Sequence, residues 1–118
     1  MATAVKRKLS GSTDGKGIEL TQTGTAGNTV HTAVAGTTAG TYDEVWLWAQ
    51  NNHTVAVVLT IEWGDPDHAA LIIVTIPAKS GLVPVVPGFI LQNGMVVKAF
   101  AATTAVITLF GFVNAITD

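Results

Sequence analysis

The chain contains no cysteine, which excludes a disulfide framework, a thiolate zinc site and a cysteine nucleophile. Charge is scarce as well. Only 12% of the 118 residues are Asp, Glu, Lys or Arg, against about 25% in ordinary globular proteins. The 6 basic and 8 acidic residues leave a net charge of −2. That balance lacks the basic excess needed to neutralise a phosphate backbone, so no nucleic-acid partner is expected. A long unbroken apolar run is also missing. The best candidate, Met95 to Val113, is interrupted by Lys98, Thr103, Thr104 and Thr108 and is rich in Val, Ile and Phe, so it reads as strands rather than as a membrane span of about 20 residues. The basic cluster Lys6-Arg7-Lys8 is followed by Ser10-Gly11-Ser12-Thr13-Asp14-Gly15 instead of the apolar segment of a signal peptide. The expectation is a chain that meets no membrane and is not exported by the cell that makes it.

What is abundant is apolar surface: 48% of the residues are hydrophobic. With so few charges to cover the outside, the composition points to a protein whose surfaces are covered by partners. Length bounds the fold to one domain. Thr, Val and Ala dominate, Gly recurs every ten residues or so, and no long stretch keeps a helical period, which is the cadence of short strands joined by turns. Val55, Val57, Leu59, Ile61 and Trp63 alternate with Thr60 and Glu62, a half-buried strand. Val45, Leu47 and Ala49 alternate with Trp46 and Trp48, and Gln50 to His53 reads as the turn of a hairpin between these two strands. Asn93-Gly94, between Phe89-Ile90-Leu91-Gln92 and Met95-Val96-Val97-Lys98, predicts a second hairpin, with Leu91 facing Val96 and Ile90 facing Val97. Ala105 to Val113 forms a last strand, with Ile107, Leu109 and Val113 on one side and Phe110 and Phe112 on the other. Further strands are expected near Ile18 to Thr23, Thr29 to Ala35 and Leu71 to Ile76. Pro84 and Pro87 mark Leu82 to Val86 as an edge or irregular strand, since proline cannot donate to a ladder. The sum is an all-β fold: an antiparallel β-sandwich, jelly-roll-like, spanning residues 18–118, with residues 1–17 as an extended N-terminal arm outside it.

Residues that could carry chemistry are dispersed. His31, His53 and His68 have no pair at metal-ligand spacing. Asp65-Pro66-Asp67-His68 could hold a cation but reads more simply as a solvated turn. Ser10, Ser12 and Ser80 lack a nucleophile elbow, and Asp43 and Glu44, adjacent on a strand, point to opposite faces. No cofactor and no enzymatic activity are expected; a cupin-like metal enzyme would need a His-x-His pair that is missing. Trp46, Trp48 and Trp63 can bind sugar rings or bases, or can fill a core or a subunit interface. Apolar Val45, Leu47 and Ala49 beside them favour core or interface. The interface candidates are therefore Lys6, Arg7 and Lys8 on the arm, and Trp46, Trp48, Phe110 and Phe112 as apolar anchors.

The segments Val45-Trp46-Leu47-Trp48-Ala49-Gln50-Asn51-Asn52 and Val57-Val58-Leu59-Thr60-Ile61-Glu62-Trp63-Gly64 resemble a family of small tailed-bacteriophage virion proteins. The likeness continues through Ile76-Pro77-Ala78-Lys79-Ser80-Gly81-Leu82, Gly88-Phe89-Ile90-Leu91-Gln92-Asn93-Gly94, Val97-Lys98-Ala99 and Phe110-Gly111-Phe112-Val113-Asn114, covering about residues 42 to 114. It is a strand-and-turn pattern, more specific for a virion component than for its location. The resemblance implies a capsid decoration, or cement, protein made in the bacterial host cytoplasm. Such a protein would sit on the outer surface of the head, bridge major capsid subunits and self-assemble, as a homotrimer. A tail-associated receptor- or carbohydrate-binding module is the alternative.

Overall fold

Apolar residues at every second position fix the faces of the strands, and the structure pairs those faces into two layers. The computed structural model describes residues 2–118. Among these, nine strands follow in order: β1 (Thr3–Lys8), β2 (Ile18–Glu19), β3 (Asn28–Thr32), β4 (Tyr42–Asn51), β5 (Val57–Trp63), β6 (Leu71–Ile76), β7 (Val83–Leu91), β8 (Val96–Ala101) and β9 (Ile107–Thr117). The one helical element among the described residues is a single 3-10 turn at His68–Ala70, and no described helix is long and apolar enough to cross a membrane. Sheet A has the order β1-β9-β4-β7, with β2 also pairing β9, and sheet B the order β3-β8-β5-β6. All pairings are antiparallel. The chain is an all-β antiparallel sandwich.

The core lies between the sheets. Val45, Leu47 and Ala49 of β4 and Ile107, Leu109 and Val113 of β9 face Leu59 and Ile61 of β5 and Val97, Ala99 and Ala101 of β8, all buried. On β5 this is the face the alternation assigned to the interior; on β4 and β9 the alternation grouped these residues on one face without marking it as the inward one. In the middle of sheet A the backbones of β4 and β9 approach closely opposite Gly111: a Cβ there would lie 2.0 Å from the Trp46 carbonyl oxygen. Gly111 is thus required by proximity.

Three expectations need correction. Gln50 to His53 does not close a hairpin, because β4 belongs to sheet A and β5 to sheet B; the connection crosses the sandwich. Asn93-Gly94 behaves the same way. Both residues have positive φ, 63° and 66°, as a tight turn demands, yet β7 pairs with β4 and β8 with β3 and β5. Leu91 is opposite Asp43 and Ile90 opposite Glu44, while Val96 is opposite Thr32 and Val97 opposite His31. The turn is held at the sandwich rim by Asn93 N–H donating to Gly36 O at 3.0 Å and Gly94 N–H donating to Val34 O at 2.9 Å. Finally, the arm is not outside the sandwich. Thr3–Lys8 is an edge strand of sheet A, in register with β9 over six pairs; Leu9 is in the core and Ser12 is buried. The ladder offered by β9 and the pocket for Leu9 hold this segment on its own chain; Met1 lies outside the described residues. The proline-marked segment lies at an edge, as expected, but it is continuous with Phe89 to Leu91 in one strand, β7, the other edge of sheet A.

Candidate interaction surface

The side chains of β4 and β9 that do not enter the core make the outer face of sheet A. Residues directly opposite one another on antiparallel strands project to the same side, so the register assembles rows across the sheet. Trp46 is opposite Phe112, which is opposite Lys8; Glu44 is opposite Asn114, which is opposite Lys6; Trp48 is opposite Phe110. Six of the seven residues anticipated from sequence therefore share one face. The seventh, Arg7, projects to the other side and lines a groove of about 420 Å³ beside β3.

Trp46, Trp48 and Phe112 form a stacked trio, with ring centroids 6.0 to 6.3 Å apart and interplanar angles of 15° to 26°. Phe110 is set apart, since the loop at Gly17 packs against its ring: a Cβ on that glycine would lie 2.7 Å from the Phe110 ring edge. Gly88, at φ 83°, admits the indole of Trp46, which would be 2.7 Å from a Cβ there. The rim is polar. Lys6 Nζ lies 4.5 Å from the Phe112 centroid, and Lys8 Nζ donates to Ser12 O at 3.1 Å. Glu44 Oε1 accepts from Trp46 Nε1 at 2.7 Å and from Asn114 Nδ2 at 3.0 Å. These two bonds, that from Asn114 foremost, hold the Glu44 carboxyl below its ordinary pKa against a small opposing effect of burial. The apolar neighbours Val45, Leu47 and Ala49 point into the core, so the neighbours of the rings on the surface are polar. That corrects the expectation that apolar Val45, Leu47 and Ala49 are the neighbours of these rings. Trp63 belongs elsewhere: it packs against the core and meets Phe89 edge-on at 6.2 Å.

Two buried polar sites went unnoticed in the sequence. His31, on β3, donates from Nε2 to Asp43 Oδ2 at 2.7 Å and accepts at Nδ1 from Ser10 N–H at 3.0 Å. Both ring nitrogens are thus engaged, and Ser10 Oγ accepts from Thr32 N–H. The arrangement pins the N-terminal segment to β3 and β4. Its signal was the polar residue in an otherwise inward-facing position, Asp43, one step before Glu44; the two do face opposite sides. Glu62, on the outer face of sheet B, is 2% exposed. Its Oε1 accepts from Gly27 N–H at 2.7 Å, and its Oε2 is buried without a partner. A cavity of about 260 Å³ adjoins it, with Lys98, Met95 and Asp65 in its walls. The Asp65 to His68 segment is an Asx turn, with Asp67 N–H donating to Asp65 Oδ1 and His68 N–H to Asp67 Oδ1, each at 2.8 Å. Among the described residues no group of three His, Asp or Glu side chains converges as a metal site would require.

No family model matches the chain, and neither the curated proteins nor the solved structures contain a match to it.

Proposed function

We propose that the chain is a structural, non-enzymatic virion protein: a decoration protein that binds the outer surface of a tailed-phage head and bridges major capsid subunits, assembling as a homotrimer and using no cofactor. The strand-and-turn resemblance over residues 42–114 supplies the class of partner. The observation that carries the binding role is the outer face of sheet A, where Trp46, Trp48 and Phe112 are ringed by Lys6, Lys8, Glu44 and Asn114. An aromatic centre with a charged and amide rim is the anatomy of a protein-binding patch. Low charge elsewhere and exposed Ile90 on β7, opposite Glu44, support a surface that neighbours cover. The sheet orders β1-β9-β4-β7, with β2 also on β9, and β3-β8-β5-β6 support the jelly-roll reading, because successive strands repeatedly change sheet. Bridging several subunits by a multivalent oligomer raises avidity without new chemistry.

The polar rim also favours a second reading. Stacked indoles flanked by Glu44 and Asn114 suit a sugar ring, as a tail-borne carbohydrate-binding module would require. Co-sedimentation with heads lacking the protein, run beside retention on immobilised host glycans, separates the two. Saturable binding to heads supports decoration, whereas retention on glycans alone moves the assignment to the tail.

A further inference from the structure

An edge strand presents unpaired N–H and C=O groups that template further pairing unless charge, proline, a bulge or a covering loop blocks it. Three of the four edges of this sandwich are blocked. β1, which shares its edge with the two-residue β2, carries Lys6, Arg7 and Lys8. β7 carries Pro84 and Pro87 and two register shifts. β3 is five residues long with a shift between Thr29 and His31, and the segment before β2 covers it: Gly11 N–H donates to Val30 O at 2.9 Å, and Thr32 N–H to Ser10 Oγ at 2.7 Å. The fourth edge has none of these devices. β6, Leu-Ile-Ile-Val-Thr-Ile, has no charge and no proline, and it runs in unbroken register with β5 over six pairs. Among the described residues, no backbone hydrogen bond from outside that ladder reaches Ile72 to Thr75. Ile73 is 64% exposed on the outer face of sheet B, with Val58 on the adjacent strand also exposed.

We infer that β6 is a pairing edge, and that its occupant is β6 of a second copy of this chain, joined antiparallel about a two-fold axis normal to sheet B. Charge favours this occupant: β6 can face its own copy with no charges opposed, whereas β1 against itself would bring Lys6, Arg7 and Lys8 of both copies onto one short ladder. Parity restricts the register. Two-fold antiparallel pairing keeps the outer face outward only when opposed residue numbers sum to an even value. Centring on Ile73 sets it against its own counterpart, and Leu71 against Thr75, on the outer face, with Ile72 against Val74 on the core side. Sheets B of the two copies then run on as one eight-stranded sheet. The contact consumes both free edges and closes at a dimer. It stands independently of the capsid reading, and a trimer built through another surface would leave each β6 free to link neighbouring trimers.

Because the chain has no cysteine, a single introduced thiol reports one position. Opposed residues of an antiparallel pair have Cα atoms about 4.5–5.5 Å apart, within disulfide reach. The purified chain should sediment as a concentration-dependent dimer. Ile73→Cys should cross-link to a covalent dimer under mild oxidant much faster than Val5→Cys, also an exposed position, on β1. Ile73→Lys, at a solvent-facing site, should weaken the dimer at least tenfold with unchanged circular dichroism. Cross-linking of Ile73→Cys no faster than that of Val5→Cys, or wild-type sedimentation of Ile73→Lys, would overturn the assignment.

Discussion

The ammonium of Lys6 lies 4.5 Å from the centre of the Phe112 ring, so the cationic edge strand is fastened to the aromatic trio by the chain itself. Exposed cation–π contacts are worth about 0.5–1 kcal/mol. Lys6→Ala is expected to lower stability by that amount in urea unfolding, and Lys6→Arg to retain it.

His31 and Asp43 form a buried pair at 2.7 Å. Removing the imidazole leaves the carboxylate with only the Val34 N–H at 3.2 Å, an under-satisfied buried acceptor. His31→Ala should cost on the order of 3 kcal/mol and shift the urea midpoint accordingly. Asp43→Asn, which keeps an acceptor for His31 Nε2, should cost less.

Glu62 Oε2 is buried without a partner, and an unpaired buried carboxylate is costlier than an unpaired amide. Glu62→Gln keeps an acceptor for the Gly27 N–H and removes the charge. Its unfolding free energy at neutral pH should equal or exceed that of the wild type by about 1 kcal/mol, while Glu62→Ala, which strands Gly27 N–H, should lower it.

Glu44 has its carboxyl pKa lowered by hydrogen bonds from Asn114 and Trp46. A group whose folded pKa lies below its unfolded value contributes stability that is complete above the unfolded value and lost as pH falls through the folded one. Stability should therefore decline from about the ordinary 4.5 downward, and Trp46 fluorescence should change over the lower part of that range as its Nε1 partner is protonated. Glu44→Gln should remove the fluorescence change.

The grouping of residues by strand face is legible because period-2 alternation marks it directly, and β6 is legible over its whole length, Leu71–Ile76; which face of β4 and β9 turns inward is not, because both faces are apolar. The partner of each strand was not legible. Asn93-Gly94 specifies two positive φ values, a local property, and those values are present; which sheet each flanking strand joins depends on non-local pairing with β4, β3 and β5. The N-terminal segment was misread for a related reason. Its side chains are exposed along all of β1, so burial leaves no pattern in the sequence, and it is the backbone ladder to β9 that holds it. Trp46, Trp48, Phe110 and Phe112 are legible as a group because they sit out of phase with Val45, Leu47, Ala49, Ile107 and Leu109; that their face is the outer one is not, since they could equally be core. Its polar rim was missed because Glu44 and Asn114 are 70 residues apart and meet only through the β4–β9 register.

The most direct test of the proposed role is co-sedimentation of the purified chain with phage heads that lack it, counting bound copies against the major capsid protein, with Trp48→Ala in parallel. Saturable, stoichiometric binding that raises the temperature of DNA release is expected. The Trp48→Ala protein should fold normally and bind at least tenfold more weakly, about 1.4 kcal/mol. Wild-type protein that stays in the supernatant at every concentration, or binding that Trp48→Ala leaves unchanged, would contradict a head-binding role for this face.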